Sequence, residues 1–322
     1  MALSDLTVYS EFTYTLLGEM IAQQVELFNA ASRGGIVLQA DSHLGDYSDT
    51  VLWKKLSGLV RRRNAYGSGT VTGINLEHLV DTMVKVASGT PPVEINPSQF
   101  TWIQQNPEVA AVELARQLAP EMMADFLNTG IGACYAALST EASNVTTQNT
   151  GTPTTMTHQK LNQGSALMGD RYQSIVAWVM HSKPLHDLFG QNLTNTERLF
   201  QFGTTNVLQD FAGRAFVVTD STNLVNATPD PDDYRTIGLT AGGIVISRNP
   251  DYDDNFETSN GSENISRTWQ AEWTANYGIK GFSWDKTNGG RSPTNSALFT
   301  GSNWDKYATS NKDLAGVVVV TK

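Results

Sequence analysis

The sequence has 322 residues, enough for one large or two modest domains, each with a buried core. Its formal net charge is -10, which excludes a protein that wraps nucleic acid with clustered lysine and arginine. The single cysteine, Cys134, excludes an internal disulfide framework and a cysteine-based zinc site, and we expect it to be a small buried apolar residue.

The start of the chain shows no secretory signal. Residues 1–14 mix acidic, hydroxyl and aromatic side chains and lack the basic and apolar regions of a secretory signal. No stretch approaches the roughly 20 apolar residues that a membrane-spanning helix needs. Only 17% of the residues are charged, and the abundance of Gly, Asn, Thr and Ser indicates long ordered loops and extensive surface contact. We therefore expect an intracellular, reducing origin, assembly through the surface, and no membrane partner.

The first elements are a helix and short strands. Residues Tyr9–Ala31 carry apolar side chains at a helical period, on a face that runs from Phe12 to Phe28, and Arg33-Gly34-Gly35 ends the pattern. No large apolar partner lies nearby in sequence, so we expect this helix face to dock on a distant part of the chain or on another chain. The β-like runs that follow are Ile36–Leu38, Thr70–Thr72 and Met83–Val86.

Between these runs lies a long, glycine-rich and weakly hydrophobic segment that includes Lys54-Lys55 and Arg61-Arg62-Arg63. Such segments are uncommon inside compact domains and usually serve binding or reach. The arginines are a candidate nucleic-acid patch, but no aromatic platform or recognition helix stands beside them. We expect an extended arm that needs a neighbour, with its arginines paired to acidic groups of the same or another subunit.

A long helix is predicted near the middle of the chain. Asn106 is a suitable cap, Pro107 a suitable first residue, and Val109–Leu138 has the longest helical pattern in the sequence. Pro120 is expected to kink or split this helix. Residues Ser143–Thr157, rich in Thr, Asn and Gly, predict a linker into a second domain.

The second half of the chain mixes helices and strands, and the whole pattern predicts an α+β fold. The expected helices and strands are His158–Met168, Ser174–Met180, Lys183–Phe189, Ala215–Thr219, Gly243–Ser247, Ile265–Trp284 and Gly316–Val320. Within Ile265–Trp284, aromatic and alanine residues alternate with polar ones, as in a half-buried strand.

Two stretches suggest metal or catalytic chemistry. His181 and His186 follow a buried strand, but they are five residues apart with no Glu between them, which does not match a zincin helix. Asp251–Glu257 imitates the first carboxylates of a calcium loop, yet Phe256 stands where such a loop needs Gly and Ser262 where it needs Glu, so we predict a solvated acidic loop. We expect Ser182 to cap a helix, Pro184 to occupy its first turn, and His181 to hydrogen-bond locally.

No nucleophile elbow, Walker loop or dinucleotide-binding fingerprint is present. The sequence therefore indicates no catalytic, cofactor-binding or metal-binding residue and no cofactor. The alternative that stays open is a small α+β hydrolase or transferase that uses His181 with a carboxylate.

The order of these parts resembles the major capsid proteins of tailed bacteriophages, the Hong-Kong-ninety-seven type. Local stretches are similar to a podovirus-like branch of these coat proteins. They are LNQGSALMGDR at 161–171, Val179–Ser182, GRAFVVTD at 213–220, Asn303–Asp305, and KDLAGV at 312–317.

The resemblance implies four structural parts. They are an N-terminal arm at 1–40, an extended β-loop at 41–95, a peripheral domain with a long spine helix at 96–150 and 265–286, and an axial domain at 155–250 and 298–322. The implied function is self-assembly into hexamers and pentamers of an icosahedral shell around double-stranded DNA, without sequence-specific DNA binding. The implied location is the virion capsid, assembled in the cytoplasm of a host bacterium.

Further partners follow from the same resemblance. Some of these coat proteins carry a long cleaved scaffold segment, and here the arm begins within a few residues of Met1. We therefore expect a separate scaffolding protein and no proteolytic maturation, together with a portal protein and a cement or decoration protein. A tail or decoration protein that binds a coat lattice without forming one is a further alternative.

Overall fold

The computed structural model describes residues 2–41, 43, 45–56, 58–150, 153–190, 197–202, 205–209, 215–228, 231–260 and 265–322. The helices are α1 (Ala2–Ala31), α2 (Pro97–Gln105), α3 (Pro107–Ser139), α4 (His158–Ala166), α5 (Ser182–Gly190) and α6 (Asn295–Leu298). The strands of the first half are β1 (Ile36–Ala40), β2 (Tyr47–Trp53), β3 (His78–Gly89), β4 (Val93–Glu94), β5 (Val145–Thr147) and β6 (Ile175–Met180).

The remaining strands are β7 (Glu197–Phe202), β8 (Thr205–Gln209), β9 (Ala215–Val218), β10 (Val225–Asn226), β11 (Asp233–Thr240), β12 (Ile244–Arg248), β13 (Asp253–Ser259), β14 (Ser266–Ile279), β15 (Phe282–Trp284), β16 (Trp304–Lys306) and β17 (Gly316–Thr321). The strands form two sheets, and helices lie between them along the chain, so the α+β prediction is confirmed.

The first sheet is organised around β14, which pairs antiparallel with β3, β4, β12, β13 and β15. Its inward side chains, Trp269, Ala271, Trp273, Ala275 and Tyr277, are all buried, which confirms the predicted alternation. The predicted run does not continue as one strand to Trp284. It turns at Gly281, whose φ of 87° lies in the region that favours glycine, and returns as β15.

The second sheet has the order β5-β17-β11-β6-β9-β8-β7, with β10 paired to β11. The apolar strand β17 lies between β5 and β11, which explains why Val317, Val318 and Val319 are buried. Residues 143–157 were expected to form a linker, and this is wrong for Val145–Thr147. Those residues form β5, because the edge of β17 offers them a parallel partner.

Helix α1 lies along α3 of the same chain. Leu17, Ile21 and Phe28 are buried in a cluster that also contains Met122 and Phe126 of α3. Of the two partners that the sequence left open, the structure shows the distant part of the same chain, and burial of these three side chains does not require another subunit.

Helix α3 starts at Pro107 as expected, but the side chain of Asn106 makes no capping hydrogen bond. The helix also runs without a break through Pro120, so of the predicted kink or split the split is wrong and the kink stays a prediction. Near its end, Gly130 lies against β12, where an added Cβ would be 2.8 Å from Cδ1 of Ile246. Cys134 is buried in this helix as expected, and burial raises the pKa of its thiol.

Two further predictions need correction. Thr70–Thr72 is not a strand, because the segment around it pairs with no other described strand. Asp253–Ser259 is not a solvated loop but β13, whose backbone pairs with β14 while alternate side chains face solvent. The expected division into arm, loop, peripheral and axial parts remains a prediction, and β12 and β16, assigned there to the axial part, pair within the first sheet.

Candidate functional site

His181 lies between β6 and α5 and contributes to the start of the helix. The backbone N–H of Lys183 donates to Nδ1 of His181 over 3.2 Å. The backbone N–H of Ser182 donates to the carboxylate of Asp220 over 3.1 Å, and that carboxylate lies 3.4 Å from Nε2 of His181. Ser182 is itself the first residue of the helix, so the expected capping role belongs to His181 and Asp220 instead.

Ser182, His181 and Asp220 are close enough to suggest a nucleophile with its base, but their contacts are structural. The Nδ1 lone pair that would remove a proton from Ser182 already accepts the backbone N–H of Lys183. Hydrogen bonding by Ser182 and the nearby His181 lower the pKa of Asp220, which favours its ionised, helix-capping form. The sequence offered no signal for Asp220, because it lies 38 positions from the helix that it caps.

His186 lies on the exposed side of α5, away from this cap. In the parts of the chain that the structure describes, no three or more His, Cys, Asp and Glu side chains are grouped so that they could hold a metal ion. No helix in those parts has the length and apolar character to cross a membrane.

The segment between β2 and β3 is the main candidate for an interaction site, and we call residues 54–77 the loop segment. Every residue from 58 to 78 is exposed, and the loop segment has no regular structure beyond one turn among its described residues. Its large apolar side chains are exposed as well, with Val60 at 96% and Tyr66 at 100%. Apolar groups on a segment with no core of its own indicate a surface that a partner covers.

The root of the loop segment is well anchored. Strands β2 and β3 pair from Tyr47 with Val84 to Trp53 with His78, and the rings of Trp53 and His78 lie 4.1 Å apart. The backbone N–H of Lys54 then donates to the carbonyl of Glu77, and their side chains form an ion pair of 2.5 Å. The loop segment therefore projects from a fixed two-stranded base.

Arg61, Arg62 and Arg63 lie in the exposed part of the loop segment. The expectation that they pair with acidic groups is not met within this chain, because no described Asp or Glu lies within ion-pair distance of them. Pairing with another subunit remains a prediction.

A second group of exposed apolar residues lies on the helices. Its members are Phe12, Leu27, Trp102, Val109 and Val112, and each is at least 40% exposed. They belong to the outer faces of α1, α2 and α3. The helical period predicts Phe12 on the docking face of α1, whereas the structure leaves 40% of this residue exposed.

A family model described as "Gp13-like: Major capsid protein 13-like" matches residues 5–318. Among solved structures, the chain is similar to the capsid of Ralstonia phage GP4, with 10% identity, 89% of this chain and 87% of that chain covered, and a TM-score of 0.50. It is also similar to the cyanophage Pam1 capsid asymmetric unit, with 12% identity, 89% and 88% coverage, and a TM-score of 0.52. At these identities the likeness establishes the fold. No curated protein matches the chain.

Proposed function

The chain belongs to the Gp13-like family of major capsid proteins, and from this premise we propose that it assembles into hexamers and pentamers of an icosahedral shell around double-stranded DNA. Its role is to form the capsid of a tailed-phage virion. It is a structural protein and not the hydrolase or transferase that the sequence had left open. Beyond the family assignment, the proposal states how the subunits are arranged and that the shell encloses DNA.

The observation that carries the proposal is the loop segment. It exposes apolar and basic side chains on a fixed base, and no part of the chain that the structure describes covers them. A projecting segment that binds a different surface of the next subunit makes a heterologous contact, and such contacts close into rings when the rotation between subunits is a simple fraction of a turn. Rings of five and six subunits built in this way supply the capsomers of an icosahedral shell.

The acidic net charge supports DNA enclosure without tight binding. A shell with many basic groups would hold the phosphate backbone through counterion release, whereas a chain with a net charge of -10 makes that sequence-independent affinity weak. The proposed contact with DNA is therefore loose and independent of base sequence.

We also propose accessory proteins. A closed shell made of one chain has no opening for DNA, which favours a portal protein at one vertex. The same rings can close into shells of several sizes, which favours a separate scaffolding protein, and a cement or decoration protein is a further proposed partner. The division into N-terminal arm, extended loop, peripheral domain and axial domain belongs to the same proposal.

The deciding experiment is electron microscopy of particles that contain the full chain, paired with a variant whose residues 58–75 are replaced by a short Gly-Ser linker. We expect the full chain to form icosahedral shells and the variant to remain a folded, unassembled subunit. Shells formed equally well by the variant would refute the role of the loop segment. Virion shells that lack the chain would refute the proposed function itself.

A further inference from the structure

A cleft of about 560 Å³ lies where α3 passes the end of β3. Leu118, Met122 and Trp273 provide apolar walls, while Glu121 and Asp125 place two carboxyl groups in the lining. These two acids are four residues apart on α3, so they lie on the same face of the helix. The cleft therefore combines an apolar interior with a local excess of negative charge.

The two carboxylates have no cationic partner within the described chain. Neither forms an ion pair there, and no lysine or arginine lines the cleft. Like charges at this helical spacing repel each other. The carboxylate of Asp125 accepts a 3.2 Å hydrogen bond from the hydroxyl of Ser88, and burial raises the pKa of Asp125. A cation in the cleft would reduce the repulsion between the two carboxylates, and it would offset the cost of desolvating the partly buried carboxylate of Asp125.

The same chain carries three arginines at 61–63 that have no Asp or Glu of the described residues within ion-pair distance. An arginine side chain has an apolar stem and a charged planar end, so it can lie along apolar walls while its guanidinium reaches a carboxylate. The neighbouring Val60 is almost fully exposed and adds apolar surface to the same stretch. The loop segment and the cleft are thus complementary in both charge and polarity.

A contact between the arginines and the cleft of their own chain is disfavoured by reach. The cleft lies at the Gly89 end of β3, and the loop segment leaves from the His78 end, about 36 Å away at 3.3 Å per residue. The chain from Trp53 to Arg62 spans about 30 Å even when fully extended, so a contact would need the whole stretch straightened and turned back along β3, with the arginine side chain covering the last several ångströms. The complementary partner is therefore a second copy of the chain.

We propose that an arginine of residues 61–63 in one subunit enters the cleft beside α3 of a neighbouring subunit and pairs with Glu121 and Asp125. This contact rests on the proposed function, because shell formation brings the two copies together. It identifies which surface of the neighbour receives the loop segment.

Proximity is tested with the double variant Arg62→Cys/Glu121→Cys, treated with a short bismaleimide after assembly. A linker is preferable to a disulfide, because paired Arg and Glu residues have Cα atoms farther apart than a disulfide allows. The native Cys134 is buried and does not compete. The matched control is Arg62→Cys/Glu108→Cys, since Glu108 is exposed on the same helix but outside the cleft. Each single cysteine variant is treated in parallel.

We expect linked dimers and higher multimers in assembled shells of the first variant, at least tenfold more than in the controls, and none in unassembled subunits. Intact shells in which the first variant links no more than the controls overturn the proposed contact and leave the shell-forming function standing. Failure of the unsubstituted chain to assemble, in contrast, overturns the proposed function.

If the cysteine substitutions themselves prevent assembly, a charge exchange decides. Arg61→Glu/Arg62→Glu/Arg63→Glu and Glu121→Lys/Asp125→Asn are each expected to lower the shell yield at least tenfold, measured by sedimentation. Combined in one chain, they are expected to recover most of that loss, because the opposite charges again face each other. A combined variant that assembles no better than the worse of the two overturns the contact.

Discussion

The phenol of Tyr307 donates a 3.2 Å hydrogen bond to Oδ2 of Asp81, and this bond joins β3 to the chain that follows β16. The other carboxylate oxygen of Asp81 is buried without a hydrogen-bond partner among the described residues. Burial raises the pKa of Asp81 to about 6, and the hydrogen bond from Tyr307 opposes part of that rise. The stability of β3, which forms part of the base of the loop segment, therefore depends on whether Asp81 is protonated.

The sign of this coupling follows from proton linkage. A carboxyl group with a raised pKa binds its proton more tightly in the folded state, so folding is favoured below the unfolded value of 3.8 and loses that contribution as the pH rises to about 6. We expect Asp81→Asn to stabilise the subunit above pH 6 by about 1–2 kcal/mol, after allowance for partial solvent screening.

Calorimetric unfolding temperatures of the unassembled subunit at pH 3 and pH 7.5, which lie below the unfolded pKa of 3.8 and above the folded pKa of about 6, measure this effect. The gain from Asp81→Asn should appear at the higher pH and largely vanish at the lower one. The control is Asp305→Asn, which changes an exposed carboxylate on β16. An equal gain at both pH values would show that protonation of Asp81 is not the cause.

Leu17 tests the docking of α1 on α3. Its side chain is fully buried, so Leu17→Ala should destabilise the subunit by about 2–5 kcal/mol through lost apolar burial and the cavity left behind. Phe12→Ala, on the open side of the same helix, should change stability by less than about 1 kcal/mol. Denaturant titration of unassembled subunits gives both values, and equal effects would contradict the intrachain packing.

The same contact alters the expected effect of removing residues 1–30. From the sequence, this deletion should leave a foldable axial domain and block assembly, because the helix face from Phe12 to Phe28 was expected to dock between subunits. The structure places that face on α3, so the deletion also exposes Met122 and Phe126. Loss of assembly by the truncated chain would consequently not demonstrate an intersubunit role for the helix.

The elements that the sequence predicts well are those with a strong internal period. The apolar repeat of α1, the long pattern of α3 and the alternation in β14 each reflect a face that must be buried whatever the neighbours are. Strand β2 was not predicted, because Tyr47–Trp53 is largely exposed and obtains its conformation from pairing with β3. Strands β5 and β13 were missed for the same reason, since a polar stretch shows no period when its partner strand determines the structure.

The candidate site was likewise predictable from the sequence in one part and not in the other. The unusual composition of the loop segment is visible in the sequence, and its exposure fits a glycine-rich stretch whose scattered apolar residues are too few to form a core of their own. The cleft is not visible, because it is formed by α3, the end of β3 and residues near Pro293, which are far apart in sequence. Only the fold brings Glu121 and Asp125 next to Trp273.

Gly316 is constrained by the adjacent strand. An added Cβ would lie 1.8 Å from the carbonyl oxygen of Gly238 in β11, and the backbone there has no flexible side chain that could move away. We expect Gly316→Ala to destabilise the subunit by about 3 kcal/mol or more, because β17 and β11 would have to separate. Gly69→Ala, in the loop segment with nothing within 4 Å of the added Cβ, should be nearly neutral. Comparable yields of folded subunit from both variants would contradict the close approach.

The side chains at the start of α5 are expected to stabilise the fold, and variants of Asp220 and His186 test this structural role. Asp220→Ala removes the acceptor for the Ser182 N–H and should destabilise the subunit by about 0.5–2 kcal/mol, as is typical for loss of a helix cap. Because these side chains hold α5 in place, Asp220→Asn, which keeps an acceptor oxygen, should recover much of that stability. His186→Ala, on the exposed side of the helix, should change it little. Thermal unfolding of the three variants measures the ranking, and Asp220→Ala unfolding at the same temperature as His186→Ala would show that the cap does not stabilise the fold.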